Sequence, residues 1–305
     1  MKLPPFTLVH NPRVQKRTLA EAFSTLKQRV PKLVTDLEHI RPQLTASVLA
    51  SVLFRAVPGG SAISSTLEAL KLVKHEMTRA KKVVAVGIWD LETRAGNVPE
   101  LLEALNTAQP MFTFFEVQAA IPSGIVSQRQ KIVAWAESRL GRKLLSKDIE
   151  QISQNIISDE IIPRADKIRR DLGLDYLVAI TPYMIAGEDG DEIYWNHFSM
   201  AQGHVSMVST AQLREMAQSV DRPFEAAVAV LIVSSLLVGL NADLGFHPDS
   251  GCLFDYNGAR HTLTNTIAKP RIEGDCLKLV KPRFKEAASA LVEAVARYGD
   301  TQESG

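Results

Sequence analysis

Cysteine is nearly missing from this chain: Cys252 and Cys276 are the only two among 305 residues. Two thiols cannot form the disulfide framework of a small secreted domain, so a reducing cytoplasm is the expected compartment. An excess of charge of either sign is missing too. The 35 basic and 34 acidic side chains leave a formal charge of +1, so no whole-molecule field draws in nucleic acid or an anionic membrane. The local basic runs from Lys27 to Lys32 and from Lys278 to Lys285 contain regularly spaced apolar residues and read as solvated faces. The longest uncharged run, Ala226 to Ala242, includes Ser234, Ser235 and Asn241 and falls short of the ~20 apolar residues that span a bilayer. It predicts a buried helix, and no membrane association is expected. The opening MKLPPFTLVHNPRVQKR lacks the continuous apolar core of a secretion signal.

Two common catalytic signatures are also lacking. Gly59 and Gly60 stand alone and follow no strand, so neither a phosphate loop nor a dinucleotide fingerprint is present. No G-x-S-x-G turn occurs, and Ser123 in IPSGIV reads as a turn residue.

What remains is an ordinary globular composition, 46% hydrophobic and 23% charged, in a chain long enough for two domains or one enlarged α/β unit. Residues 17 to 56 carry apolar positions at helical spacing, with Pro31 and Pro42 as breaks. Three short helices are expected there. VPGGSAISSTLEAL reads as a turn and a further helix, so residues 1–80 form an expected N-terminal helical region suited to docking a protein partner. An α/β domain is expected over 81–299 and a polar tail over 300–305.

From Lys82 onward the pattern is that of a mixed sheet with flanking helices. VVAVGIW is a β-branched run of the kind buried on both faces of a sheet, VPELLEALNTA is helical, and MFTFFEV is a second strand. Strand, helix, strand predicts parallel pairing through a crossover. Helices are expected near Arg129 to Ser138 and Ser146 to Arg170, the latter interrupted at Pro163. DYLVAIT is a strong strand, and EIYWNHFSMAQGHVSMVST holds two strand-like runs around Gly203, expected as an antiparallel pair at the sheet edge. Helices over Glu225 to Leu240 and Phe284 to Tyr298 complete the pattern.

Chemistry concentrates in two places. His247, Asp249, Cys252 and Asp255 fall within nine residues of one another, and thiolate with imidazole is a preferred zinc donor set, with Cys276 as a distant partner. The metal candidates are thus His247, Cys252, Asp255 and Cys276, with His261 as a further donor and zinc as the cofactor they would hold. Two other readings stand beside this one. Cys252 is a small buried hydrophobe under a turn whose aspartates cap backbone amides, or it is a reactive thiol and candidate nucleophile. The second place is YWNHF, where strand alternation puts Trp195 and His197 on one face, and with His204 nearby these three are pocket candidates.

The strand ending in VSMVST, the long uncharged helix, and the loop of form H-x4-C-x-F-D with a later cysteine together resemble the second half of the archaemetzincin-like and related zincin-like proteins. The resemblance spans residues 175 to 280. It implies a zincin-like C-terminal part in which a helix bearing H-E-x-x-H is followed by a third His, a Cys-rich turn with a Met, and a further cysteine pair. His247 stands where the third ligand would be, Cys252 at the first turn cysteine, Phe254 at the Met, and Cys276 as the survivor of the pair. The helix itself departs from that pattern: Glu225 to Leu240 contains no histidine, and Glu225 is its only acid. Two imidazoles one turn apart are what grip a catalytic ion from one helix face. The resemblance therefore implies a degenerate scaffold without peptidase activity, serving a regulatory or interaction role in the cytoplasm. A metal-dependent hydrolase with an atypical His/Cys/Asp site and a Cys252 hydrolase are the alternatives.

Overall fold

A computed structural model describes residues 7–10, 83–91, 93, 97–119, 129–189 and 192–299. The helices expected over residues 17 to 78 lie outside the described residues. The elements in chain order are β1 (Thr7–His10), β2 (Val84–Asp90), α1 (Val98–Ala108), β3 (Phe112–Gln118), α2 (Arg129–Leu140), α3 (Ser146–Ile152), β4 (Asn155–Ile157), α4 (Ser158–Asp171) and β5 (Tyr176–Thr181). They continue as β6 (Met184–Asp189), β7 (Glu192–His197), β8 (Ser199–Gln202), β9 (Val205–Ser209), α5 (Leu213–Ser219), α6 (Phe224–Leu240), α7 (Leu263–Ala268), α8 (Gly274–Leu279) and α9 (Lys285–Arg297).

Alternation within the strands sets the layers. Val84, Val86 and Ile88 of β2 and Tyr176, Val178 and Ile180 of β5 face one core with the helices α1, α6 and α9. Ala85 and Trp89, with Leu177 and Ala179, face a second core closed by Ile161, Ala165 and Ile168 of α4. Because both faces are covered, these strands are apolar almost throughout, as buried parallel strands are. The large sheet runs β1-β3-β2-β5-β9-β8, parallel between β3 and β9, with the antiparallel β1 and β8 at its edges. The expected mixed α/β architecture, the β2-α1-β3 crossover and the edge hairpin at Gly203 are all present.

Three expectations are corrected. The break between Ser146 and Arg170 is the short strand β4, which pairs with β6, and α4 runs on through Pro163. The run EIYWNH does not join the edge hairpin: β7 pairs with β6 in a separate three-stranded sheet, β4-β6-β7. Its alternation also fails, because Asn196 takes a positive φ of 66° and turns consecutive residues toward one cavity. Asn155 holds this turn, its Oδ1 accepting the Asn196 backbone N–H at 2.7 Å and its Nδ2 donating to the Asn196 side chain at 3.0 Å.

The helix α6 lies inside the larger core, with Phe224 and every residue from Ala226 through Leu237 buried. No single helix among the described residues is long and apolar enough to cross a membrane, and α5 and α6, which pass that test only together, are bent by 113°. After α6 the chain enters the non-repetitive stretch that carries the His and Cys residues.

Candidate metal centre

The stretch from Phe246 to Asn257 is ordered by its own polar groups. Asp255, almost fully buried, accepts the backbone N–H of Ser250 at 2.8 Å, that of Gly251 at 2.5 Å and the Ser250 hydroxyl at 3.0 Å. Asp249 accepts the N–H of Asn257 at 2.8 Å. His247 exchanges backbone bonds with Phe254 and Tyr256, at 3.0 and 2.8 Å. Leu253 N–H donates to the Arg271 carbonyl at 2.7 Å, which ties this loop to the segment entering α8.

That tie brings four donors together. His247, Cys252, Glu273 and Cys276 each present one ligand atom, all within 4.8 Å of one another. The two sulfurs are 3.9 Å apart, and Cys276 Sγ lies 3.2 Å from His247 Nε2. Tetrahedral zinc with bonds of about 2.3 Å to sulfur and about 2.0 Å to nitrogen places S–S at about 3.8 Å and S–N at about 3.5 Å. These two edges, 3.9 and 3.2 Å, lie within about 0.3 Å of those values. Both thiols are free and buried.

The surroundings suit a cation. His247 Nδ1 lies 2.9 Å from the Pro248 carbonyl oxygen, which can only accept, so this nitrogen carries the hydrogen and Nε2 keeps its lone pair toward the sulfurs. Asp255 Oδ1, 3.5 Å from the same Nδ1, adds the carboxylate support that commonly orients a ligating imidazole. Cys252 Sγ accepts the backbone N–H of Glu273 at 3.5 Å. Burial, then the negative groups of Cys252, Glu273 and Asp275, push the Cys276 thiol well above the usual range. A cation among these donors reverses that balance, because it favours the thiolate.

The sequence candidates are placed as follows. His247, Cys252 and Cys276 converge. Asp255 stands beside them, spending its oxygens on backbone amides and the His247 ring, and His261 is exposed on a separate turn outside the four donors. Glu273 joins them as a donor that sequence reasoning misses, although Glu273-x-x-Cys276 has the two-residue gap typical of paired ligands. Cys252 is fully buried. Its turn is capped by the aspartates, and its sulfur is also part of the donor cluster.

The chain is similar in structure to archaemetzincins. The archaemetzincin from Methanopyrus kandleri aligns with a TM-score of 0.45 and 13% identity, over 67% of this chain and 97% of its own. The archaemetzincin from Archaeoglobus fulgidus, complexed with malonate, gives 0.38 and 14% over 65% of this chain and all (100%) of its own. A zinc-dependent peptidase from Methanocorpusculum labreanum gives 0.39 and 15% over the same shares, 65% and 100%. No protein-family model matches the chain. No curated protein matches it in sequence.

The same loop forms one wall of a cavity of about 570 Å³. Phe246, Leu253, Asp255 and Tyr256 line it from the loop, Val230, Leu231 and Ser234 from α6, and Trp195, Asn196, His197 and Phe198 from the end of β7. Trp195 and His197 are thus in the pocket, whereas His204 is exposed at the hairpin turn and does not line it. His197 stacks near Tyr194, with ring centres 4.6 Å apart, and edge-on to Tyr256 at 6.0 Å. Burial holds its pKa below the ordinary 6.5.

A depressed histidine gives a signed prediction. Its contribution to stability is intact above the unfolded pKa near 6.5 and is lost as pH falls through the lower folded value. Replacing His197 by Gln is expected to flatten the fall in stability on acidification below pH ~6.5. Urea unfolding across that range measures it, and equal slopes in both proteins would show that His197 is not responsible.

Proposed function

We propose that this chain is a zinc-binding protein without peptidase activity, in which the metal cross-links the Phe246 to Asn257 loop to the start of α8. The metal thereby fixes one wall of the adjoining ligand pocket. The observation that carries this reading is the closed donor set. Structural zinc sites are filled by four protein ligands, whereas catalytic sites keep a position open for water or substrate. His247, Cys252, Glu273 and Cys276 supply all four. When bound, zinc supplies a tetrahedral cross-link and neutralises the two sulfurs and the carboxylate.

The long helix beside the pocket offers no catalytic metal site of its own. Glu225, its only acid, sits in its first turn and accepts the Asn97 N–H at 3.3 Å, and the pocket-lining residues of this helix are Val230, Leu231 and Ser234. None binds an ion strongly or activates a water. The scaffold is better suited to binding than to hydrolysis, which supports a regulatory or interaction role.

Elemental analysis of purified protein tests the reading. About one equivalent of zinc per chain is expected, with no chelator-sensitive cleavage of a mixed peptide substrate. Cleavage that stops with a chelator and returns with zinc would contradict it.

A further inference from the structure

We propose that the two cysteines of the metal centre form a peroxide-sensitive switch, in which oxidation joins Cys252 to Cys276 and expels the metal. The inference rests on the metal reading above. Its starting point is the 3.9 Å gap between the sulfurs, which a disulfide closes to about 2.05 Å. A movement of about 2 Å is small for the parts involved. Cys276 sits on the six-residue helix α8, and Cys252 follows Gly251, whose φ of +87° places it at a turn.

The two residues differ slightly in exposure, and this sets the order of events. Cys252 is fully buried, while Cys276 is 7% exposed. The Cys276 thiolate attacks one peroxide oxygen, the O–O bond breaks, and the sulfur becomes a sulfenic acid while the departing hydroxide takes up a proton to leave as water. The Cys252 thiolate then attacks the Cys276 sulfur, forms the S–S bond and displaces a second hydroxide, which also leaves as water after protonation. In total, two zinc-bound thiolates, one hydrogen peroxide and two protons give one disulfide, two waters and one Zn²⁺. His247 and Glu273 alone are too few ligands to retain the ion.

The consequence reaches the pocket. Leu253 and Asp255 line the cavity directly after Cys252, so drawing Cys252 toward α8 moves that wall. Oxidation state and pocket shape are thus linked through one residue. No competing intrachain pairing exists, because the chain has no third cysteine.

The test uses the full-length, zinc-loaded protein and hydrogen peroxide. Zinc release, followed with a chromogenic chelator, is expected to parallel the loss of two titratable thiols, at about one zinc per disulfide. Intact mass is expected to fall by about 2 Da with a Cys252–Cys276 cross-linked peptide in the digest, and dithiothreitol with zinc is expected to restore the starting state. Cys252→Ser, still able to form a sulfenic acid at Cys276, is expected to yield no intrachain disulfide. Zinc retained under peroxide, or lost only as the cysteines become sulfinic acids or link separate chains, would overturn the switch and leave the metal reading standing. Protein that binds no zinc before oxidation would overturn both.

Discussion

Cys276→Ala is expected to lower bound zinc from about one equivalent to below a tenth, and to lower the melting temperature by about 5–10 °C. The substitution removes one of two sulfur donors from a four-ligand site, and the remaining His, Cys and Glu no longer close a tetrahedron around the ion. A ligand present at about a hundred times its dissociation constant stabilises the folded state by about 2.7 kcal/mol, and each kcal/mol moves the midpoint of a domain of this size by about 2–4 °C. The protein is expected to stay folded, because the core that Cys252, Leu253, Phe254 and Cys276 join is also built from β2, β5, α1, α6 and α9. Adding a chelator is expected to destabilise the native protein by the same amount and the variant by nothing further. Asp249→Asn is the control: it lies in the same loop, outside the donor set, and is expected to retain zinc. Calorimetry with and without chelator measures both effects, and a variant that still responds to chelator would place the ion elsewhere.

Gly239→Ala is expected to destabilise the fold by about 2–3 kcal/mol, as overpacking a filled core does. Gly239 lies in the last turn of α6, and a Cβ there would sit 2.6 Å from Cζ of Tyr176 and nearer still to its hydroxyl oxygen. Tyr176 cannot easily retreat. It is fully buried on the central strand β5, its hydroxyl donates to the Ser235 carbonyl at 3.3 Å, and burial pushes its pKa up to about 12. Removing the hydroxyl with Tyr176→Phe relieves the closest part of the clash. The double variant is therefore expected to lose less stability than the sum of the single ones, which is the mark of two groups competing for one space. Denaturant midpoints for the four proteins measure the coupling, and simple additivity would show that the strain lies elsewhere.

Much of the fold is legible in local pattern. VVAVGIW, MFTFFEV and DYLVAIT are continuous apolar runs because both faces of their sheet are covered, and Phe224–Leu240 reads as buried for the same reason. Local pattern misleads where pairing at a distance overrides local preference. Asn155–Ile157 is too short to stand out between two helical patterns and is a strand only because Met184–Ala186 lies beside it. The YWNHF alternation fails at Asn196, whose turn depends on Asn155, forty-one residues away in sequence. The candidate metal centre divides in the same way. His247, Cys252 and Asp255 are conspicuous because they crowd one loop, and Cys276 stands out as the only other cysteine. Glu273 is one glutamate among many until the bond from Leu253 to Arg271 brings its segment against the loop. Asp255, by contrast, is chemically able to bind an ion, but the amides of Ser250 and Gly251 reach it first.

X-ray absorption at the zinc edge of the purified, reduced protein probes the four-donor centre most directly. Two sulfur scatterers at about 2.3 Å and two nitrogen or oxygen scatterers at about 2.0 Å, with no additional water, are expected for His247, Cys252, Glu273 and Cys276. A first shell without sulfur, or a bound water in place of one of these ligands, would contradict a closed structural site.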